Sequence, residues 1–207
     1  MWDCRCGCTR SLCAALAIPA LANAQAAGDR PAETFEEIER GLYFSVLGGP
    51  YFVINPPASE GPRPFSPGQM AQVEVGVDIG QRLSVGAFVM VGSNRAGSEY
   101  VGNSGGAASG DFSMLVPGAL ARFQLVGLAD VQGVQRTWIY LRGGAGYALF
   151  RPKQLLPESD ILVFAGPGVE YYTRLRHFSV GIEVTGTFLV QSQSIGFAVM
   201  PNLRYAF

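Results

Sequence analysis

The sequence predicts an all-β chain, an eight-stranded antiparallel up-and-down barrel that crosses a membrane with its strands. Three observations carry that expectation. From residue 41 of 207 onward, apolar residues alternate with small or polar ones in stretches about as long as the 9 to 11 residues a tilted strand needs to cross a bilayer. There are eight such stretches, and an even number of antiparallel strands closes into a barrel without exposed edges. The connections also alternate between short and long, the asymmetry membrane barrels show between their two sides.

Composition agrees. Charged residues are 15% of the chain and Lys153 is the only lysine, so the strand faces are poor in the groups that normally wet a soluble surface. No run approaches the roughly 18 apolar residues of a spanning helix, which excludes a helical membrane protein. The net charge of -1 lacks the basic stripe a nucleic-acid partner requires.

Taken in order, residues 1–24 read as a secretory signal peptide. Arg5 and Arg10 form a positive n-region, 12–21 an apolar h-region, and Ala22-Asn23-Ala24 a small-residue cleavage site. All four cysteines (Cys4, Cys6, Cys8 and Cys13) fall inside this leader, so no metal site is expected in the mature chain. Residues 25–40 read as an extended periplasmic lead-in; its Thr34-Phe35-Glu36-Glu37 could cap one short helix. The barrel is then expected over 41–207, with strands at 42–53, 69–79, 83–92, 112–125, 137–149, 161–173, 178–190 and 195–207. With the N-terminus in the periplasm, the tight connections 80–82 and 174–177 and the moderate 126–136 lie inside. The Pro-rich 55–68, the Gly/Ser-rich 93–111 and 150–160 lie outside, with a short fourth outer loop at 191–194.

The two faces are plainest in the second strand, where Ala71, Val73, Val75, Val77 and Ile79 alternate with Gln72, Glu74, Gly76 and Asp78. The apolar set is expected to face lipid. The other set is rich in Gly, Ser and Thr, as a narrow lumen requires, and carries Glu74, Asp78, Arg122, Arg142, Glu170, Glu183 and Arg204. All seven count to the periplasmic half or the midplane, where eight strands leave room only for side chains, so they are expected to form a dry or nearly dry ionic plug. Strand adjacency puts Arg142 beside Glu170 and Glu183 beside Arg204, with Asp78 nearer the periplasmic rim. Arg122 and Arg142 also lie on adjacent strands and repel unless carboxylates from across the barrel come between them, for which Glu74 and Glu183 are the candidates. Trp138, Phe178, Tyr171, Tyr205 and Phe207 near the inner ends, with Phe52, Phe188 and Phe197 near the outer ones, are expected in two aromatic girdles.

The closing strand has the clearest period: Ile195, Phe197, Val199, Pro201, Leu203, Tyr205 and Phe207 share one parity. A chain that ends this way resembles the outer-membrane β-barrels of Gram-negative bacteria. The resemblance implies location in the outer membrane, contact with its lipid, and an assembly signal at Val199, Leu203, Tyr205 and Phe207 that the barrel assembly machinery reads; Pro201 departs from the pattern. Some such barrels are lipid A deacylases that use a His, a Ser and a Glu. His177, Ser179 and Glu183 do not fit that chemistry, because His177 counts to the inner rim and the other two to the lumen. Gly143-Gly144-Ala145-Gly146 precedes no helix and is no nucleotide loop.

More narrowly, residues 41–207 resemble the small barrel proteins of the adventurous gliding-motility machinery of myxobacteria, the CglE type. The stretches that carry this are Gly48-Gly49-Pro50-Tyr51-Phe52, Pro64-Phe65-Ser66-Pro67-Gly68-Gln69-Met70, Asn94-Arg95-Ala96-Gly97 and Arg174-Leu175-Arg176-His177-Phe178-Ser179-Val180-Gly181. That resemblance implies a non-catalytic envelope component without cofactor, partnered by envelope or motility-complex proteins. A lipid-modifying enzyme and a small passive pore are the competing classes.

Overall fold

The computed structural model describes residues 38–55, 67–95, 111–151 and 159–207. The leader with its cysteines, the Thr34 to Glu37 segment, and most of the three long outer connections lie outside these residues. Eight strands follow one another: β1 (Leu42–Asn55), β2 (Gly68–Ile79), β3 (Leu83–Arg95), β4 (Asp111–Ala129), β5 (Gln135–Arg151), β6 (Ser159–Tyr172), β7 (Phe178–Leu189) and β8 (Ser194–Ala206). Each pairs antiparallel with its neighbour, and β8 pairs with β1 to close the barrel. Closure matters physically because every strand finds partners on both sides, and no backbone edge is left to face lipid.

Period-two alternation sets the two faces. Val73, Val75, Val77 and Ile79 on β2, and Val180, Ile182, Val184 and Phe188 on β7, point outward and are exposed. Glu74, Glu183 and Thr185, from the same two strands, are buried in the lumen. A barrel with apolar residues outside and charges within is stable where the outside solvent is hydrocarbon, so the belt spans a bilayer.

Two elements differ from the sequence expectation. The inner connection expected over 126–136 shrinks to 130–134, and β4 and β5 reach 19 and 17 residues. The cause is a compact turn: Asp130 Oδ1 accepts from the Gln132 and Val134 amides at 2.8 and 3.1 Å, and Gly133 takes a φ of 81° that favours glycine. A β-bulge between Gln124 and Val126 leaves Leu125 and Val126 both exposed, so the outward parity changes within β4. The lumen is also less uniformly polar than expected. Its outer half is dominated by a buried apolar cluster that includes Leu47, Met70, Phe88, Met90, Met114 and Phe164, with Asn94, Asp160, Thr187 and Ser194 as the buried polar residues around it, and the ion-paired arginines lie in the inner half.

The girdle expectation fails at Trp138, which is buried. It shares the parity of Tyr140 and Arg142, so it turns into the lumen, where its indole N–H donates to the Gln135 carbonyl at 3.0 Å. Tyr171, Phe178 and Phe207 are exposed at the inner end, and at the outer end Phe52 stacks on Phe197 with ring centres 4.8 Å apart.

Candidate functional site

The polar half of the lumen is where this barrel concentrates its chemistry. Arg122 on β4 and Arg142 on β5 sit directly opposite each other in register. Two like charges in that position repel, and each is neutralised from elsewhere. Arg122 Nη1 donates to Glu170 Oε2 at 3.0 Å, both side chains being fully buried, and its guanidinium lies over the Tyr140 ring at 4.4 Å. Arg142 lies between two carboxylates: Glu74 Oε1 at 2.5 Å and Glu183, to which it donates directly.

Arg204 on β8 pairs with Asp78 and lies 3.8 Å from Glu170, so Arg122 and Arg204 share that carboxylate. It stacks on Tyr43 at 3.8 Å. Those stacking rings need space in a narrow tube, and glycine provides it. A Cβ at Gly76 would come within 2.6 Å of the Tyr43 ring, and one at Gly168 within 2.3 Å of Tyr140.

Neutral groups fix the carboxylates. Ser84 donates to Asp78 at 2.6 Å, Ser179 to Glu170 at 2.6 Å, Gln72 to Glu74 at 3.0 Å and Thr185 to Glu183 at 2.8 Å. Tyr140 donates to Glu183 at 3.1 Å and accepts from Asn202 at 2.9 Å.

The structure brings all seven sequence-selected charges into two groups, Glu74–Arg142–Glu183 and Arg122–Glu170–Arg204–Asp78; Glu74 and Glu183 reach Arg142 as expected, but the two pairs expected between adjacent strands do not form. Arg142 does not bond Glu170, and Glu183 does not bond Arg204. In register Arg142 faces Gly166 and Glu183 faces Met200, each four residues from the expected partner, or about 13 Å along the strand. Glu74 and Glu183 both bond Arg142, while Arg122 is neutralised by Glu170. Val199, Leu203, Tyr205 and Phe207 of the closing strand lie on the outward parity, and the Phe207 amide donates to the Leu42 carbonyl at 2.8 Å.

Sequence reasoning missed the inner rim. Arg40 closes the mouth, donating to the Gln81 carbonyl at 2.8 Å and to Gln124 Oε1 at 3.0 Å, with its guanidinium 5.5 Å from both the Trp138 and Tyr172 rings. It precedes the first strand, so no alternation flags it. Arg136 is buried, and its pairing with Asp130 at 2.9 Å was signalled only by its parity with Trp138. Desolvation pushes the Asp130 carboxyl up, but the Gln132 and Val134 amides and Arg136 together outweigh it and hold the group below the usual carboxylate range.

His177 lies at the inner rim, in the turn before β7. Its Nδ1 lies 2.8 Å from the Ala206 carbonyl and 2.7 Å from Glu39 Oε2, and its ring stacks on Tyr205. Ser179 instead donates to Glu170, and Glu183 is held by Arg142, Tyr140 and Thr185. The three candidate catalytic groups have separate partners. Among the described residues no group of three His, Cys, Asp or Glu side chains could hold a metal ion.

No protein-family model and no curated protein matches the sequence. Solved structures do. Neisserial surface protein A (NspA) superposes with a TM-score of 0.54 at 16% identity, over 81% of this chain and 97% of that one. The fold is that of the small outer-membrane β-barrels. OprG of Pseudomonas aeruginosa matches at TM-score 0.49 and 11% identity over 83% and 99% of the two chains, and the outer membrane enzyme PagL at 0.41 and 9% over 80% and 99%. The closed antiparallel barrel with its apolar belt resides in the outer membrane. At these identities the likeness defines the fold and leaves the chemistry to the residues themselves.

Proposed function

We propose that this chain is a non-catalytic outer-membrane barrel that acts through its rims, as a structural or interaction component of a cell-envelope complex. One observation carries the reading. Side chains cross the lumen at every level, mainly apolar ones in the outer half and ion-paired arginines and carboxylates in the inner half, so function falls to the surfaces outside the tube. A passive pore is disfavoured by the same packing. A lipid-modifying enzyme is disfavoured by the separate engagements of His177, Ser179 and Glu183.

In this reading 1–24 is a removed signal peptide, 25–40 a periplasmic lead-in, and 41–207 the barrel. Surrounding lipid and the barrel assembly machinery are partners, the latter through Val199, Leu203, Tyr205 and Phe207. The seven lumen charges are a structural plug. The wider partner is an envelope assembly, and the resemblance to the CglE type names gliding motility as the process. Loss of the protein should impair surface-associated single-cell gliding and leave lipid A acylation unchanged. Normal gliding with a shifted acyl pattern would replace this reading with the enzyme. Crosslinking in native outer membranes from residues 93–111 and 28–40 should capture envelope proteins; capture of lipid alone would count against an interaction role.

A further inference from the structure

We propose that the inner half of the lumen is a water-binding chamber whose periplasmic door is Arg40. The observation is a set of fully buried polar atoms that the barrel's own groups leave without a hydrogen-bond partner. On the acceptor side they are Glu74 Oε2, Gln72 Oε1 and Asn202 Oδ1, with the Ser45 and Tyr43 hydroxyls beside them. On the donor side they are Arg122 Nε and Nη2, Arg142 Nε and Arg204 Nε. Buried polar groups in folded proteins are almost always paired, and leaving this many unpaired would exceed the whole net stability of a domain of this size.

The register brings the two kinds together. Ser45 on β1 is directly opposite Glu74 on β2 on one side and Arg204 on β8 on the other. One cross-strand row therefore presents an unpartnered carboxylate oxygen, a hydroxyl and an unpartnered guanidinium N–H at neighbouring positions. Two residues further along, Leu47 is opposite both Gln72 and Asn202, whose free carbonyl oxygens flank that row. Water is the ligand that answers this pattern, since it donates to the oxygens and accepts from the arginines in the same site. An anion would serve only the arginines, and a cation only the oxygens.

Access is one-sided. Outward, the chamber ends at the apolar cluster of Leu47, Met90, Phe164 and Met200, which offers water no partners. Inward, the next buried layer is Gln124, Tyr172 and Trp138, and Arg40, from the segment that leads into β1, lies over it, held by two acceptors and two aromatic rings. Arg40 meets only neutral partners there, so its withdrawal breaks no ion pair of the layer in which Glu74, Asp78, Glu170 and Glu183 face Arg122, Arg142 and Arg204. In this proposal Arg40 is the side chain whose withdrawal exposes the Gln124, Tyr172 and Trp138 layer beneath it to the periplasm.

The test is nuclear magnetic resonance of the mature barrel in lipid nanodiscs, reading the Nε–H groups of Arg122 and Arg204. Cross-peaks from these protons to long-lived water are expected, and in Arg40→Ala their exchange with bulk should quicken by about tenfold or more while strand amides stay protected. Should Arg40→Ala fail to assemble, Gln124→Leu removes one of the two acceptors and should quicken the same exchange to a smaller degree. Absent water cross-peaks would show a dry plug and overturn the proposal. So would bromide titration that shifts the Arg resonances, which would place an anion there. Unchanged exchange in both variants would remove Arg40 as the door.

Discussion

Arg142→Met is the sharpest test of how the lumen is held. The guanidinium bridges Glu74 and Glu183, and all three side chains are essentially inaccessible to solvent. Methionine fills most of the volume but leaves two carboxylates facing each other across a site of low dielectric, with Arg122 already committed to Glu170. Breaking a buried pair in this way typically costs about 3 to 5 kcal/mol, a large part of the roughly 5 to 15 kcal/mol by which domains are stable. With a urea dependence of about 2 kcal/mol per molar, a loss of about 4 kcal/mol moves the unfolding midpoint down by about 2 M. The assay is urea titration in lipid vesicles, followed by the fluorescence of buried Trp138 and by heat-modifiable gel mobility. Adding Glu74→Leu and Glu183→Leu should restore much of the loss, because an apolar replacement of a whole buried ionic group is often neutral or better. A midpoint within about 0.5 M of the parent for Arg142→Met alone, together with open-pore currents from the parent in planar bilayers, would mean that these residues line a water-filled channel and carry no structural load.

Four further outcomes are expected. The mature protein should fractionate with the outer membrane and run as a compact, heat-modifiable species; recovery in a detergent-free soluble fraction would refute the barrel. Gly168→Ala should destabilise the fold by about 1 to 3 kcal/mol, because its Cβ would drive the Tyr140 ring off Arg122, and an unchanged urea midpoint would show that the stack is slack. The Asp130 turn should respond to acid: a carboxyl held below its usual range stabilises above the unfolded value, about pH 4, and that support is lost as pH falls further. Amide exchange of Gln132 and Val134 across that window checks it, and in Asp130→Asn the acid dependence should vanish. Deleting Phe207 should lower the yield of folded barrel while export continues, as measured by membrane-inserted against periplasmic protein.

The parts of this fold that lipid dictates were legible, and the parts that depend on shear were not. Val73, Val75 and Val77 announce their face because hydrocarbon accepts nothing polar, and the seven charges announce the other for the same reason. Parity says which side of the wall a residue takes. It does not say how far along the tilted wall its neighbour stands, and this is why Arg142 pairs with Glu74 and Glu183 and passes over Glu170. Trp138 was misread when residue type was given more weight than parity, although Arg142 four residues on had already assigned that parity to the lumen. Asp130 and Gly133 carried a turn signal inside a segment whose length suggested a loop. Arg40 carried none, since its role comes from the mouth that the β2–β3 turn, β4, β5 and β6 assemble around it.

The closing seam joins structure and assembly in a way that a deletion alone does not separate. Phe207 donates its amide to Leu42, its ring packs edge-on against Tyr205, and Tyr205 in turn contacts Phe178 and His177. Removing the residue therefore weakens the β8 to β1 closure as well as any signal read by the assembly machinery. Phe207→Ala keeps the backbone hydrogen bond and loses only the ring. If the ring is what the machinery reads, Phe207→Ala and the deletion should reduce insertion alike in cells, while Phe207→Ala barrels refolded into vesicles without the machinery reach near-parent yield. If closure is what matters, Phe207→Ala should insert normally in cells and only the deletion should fail in both settings.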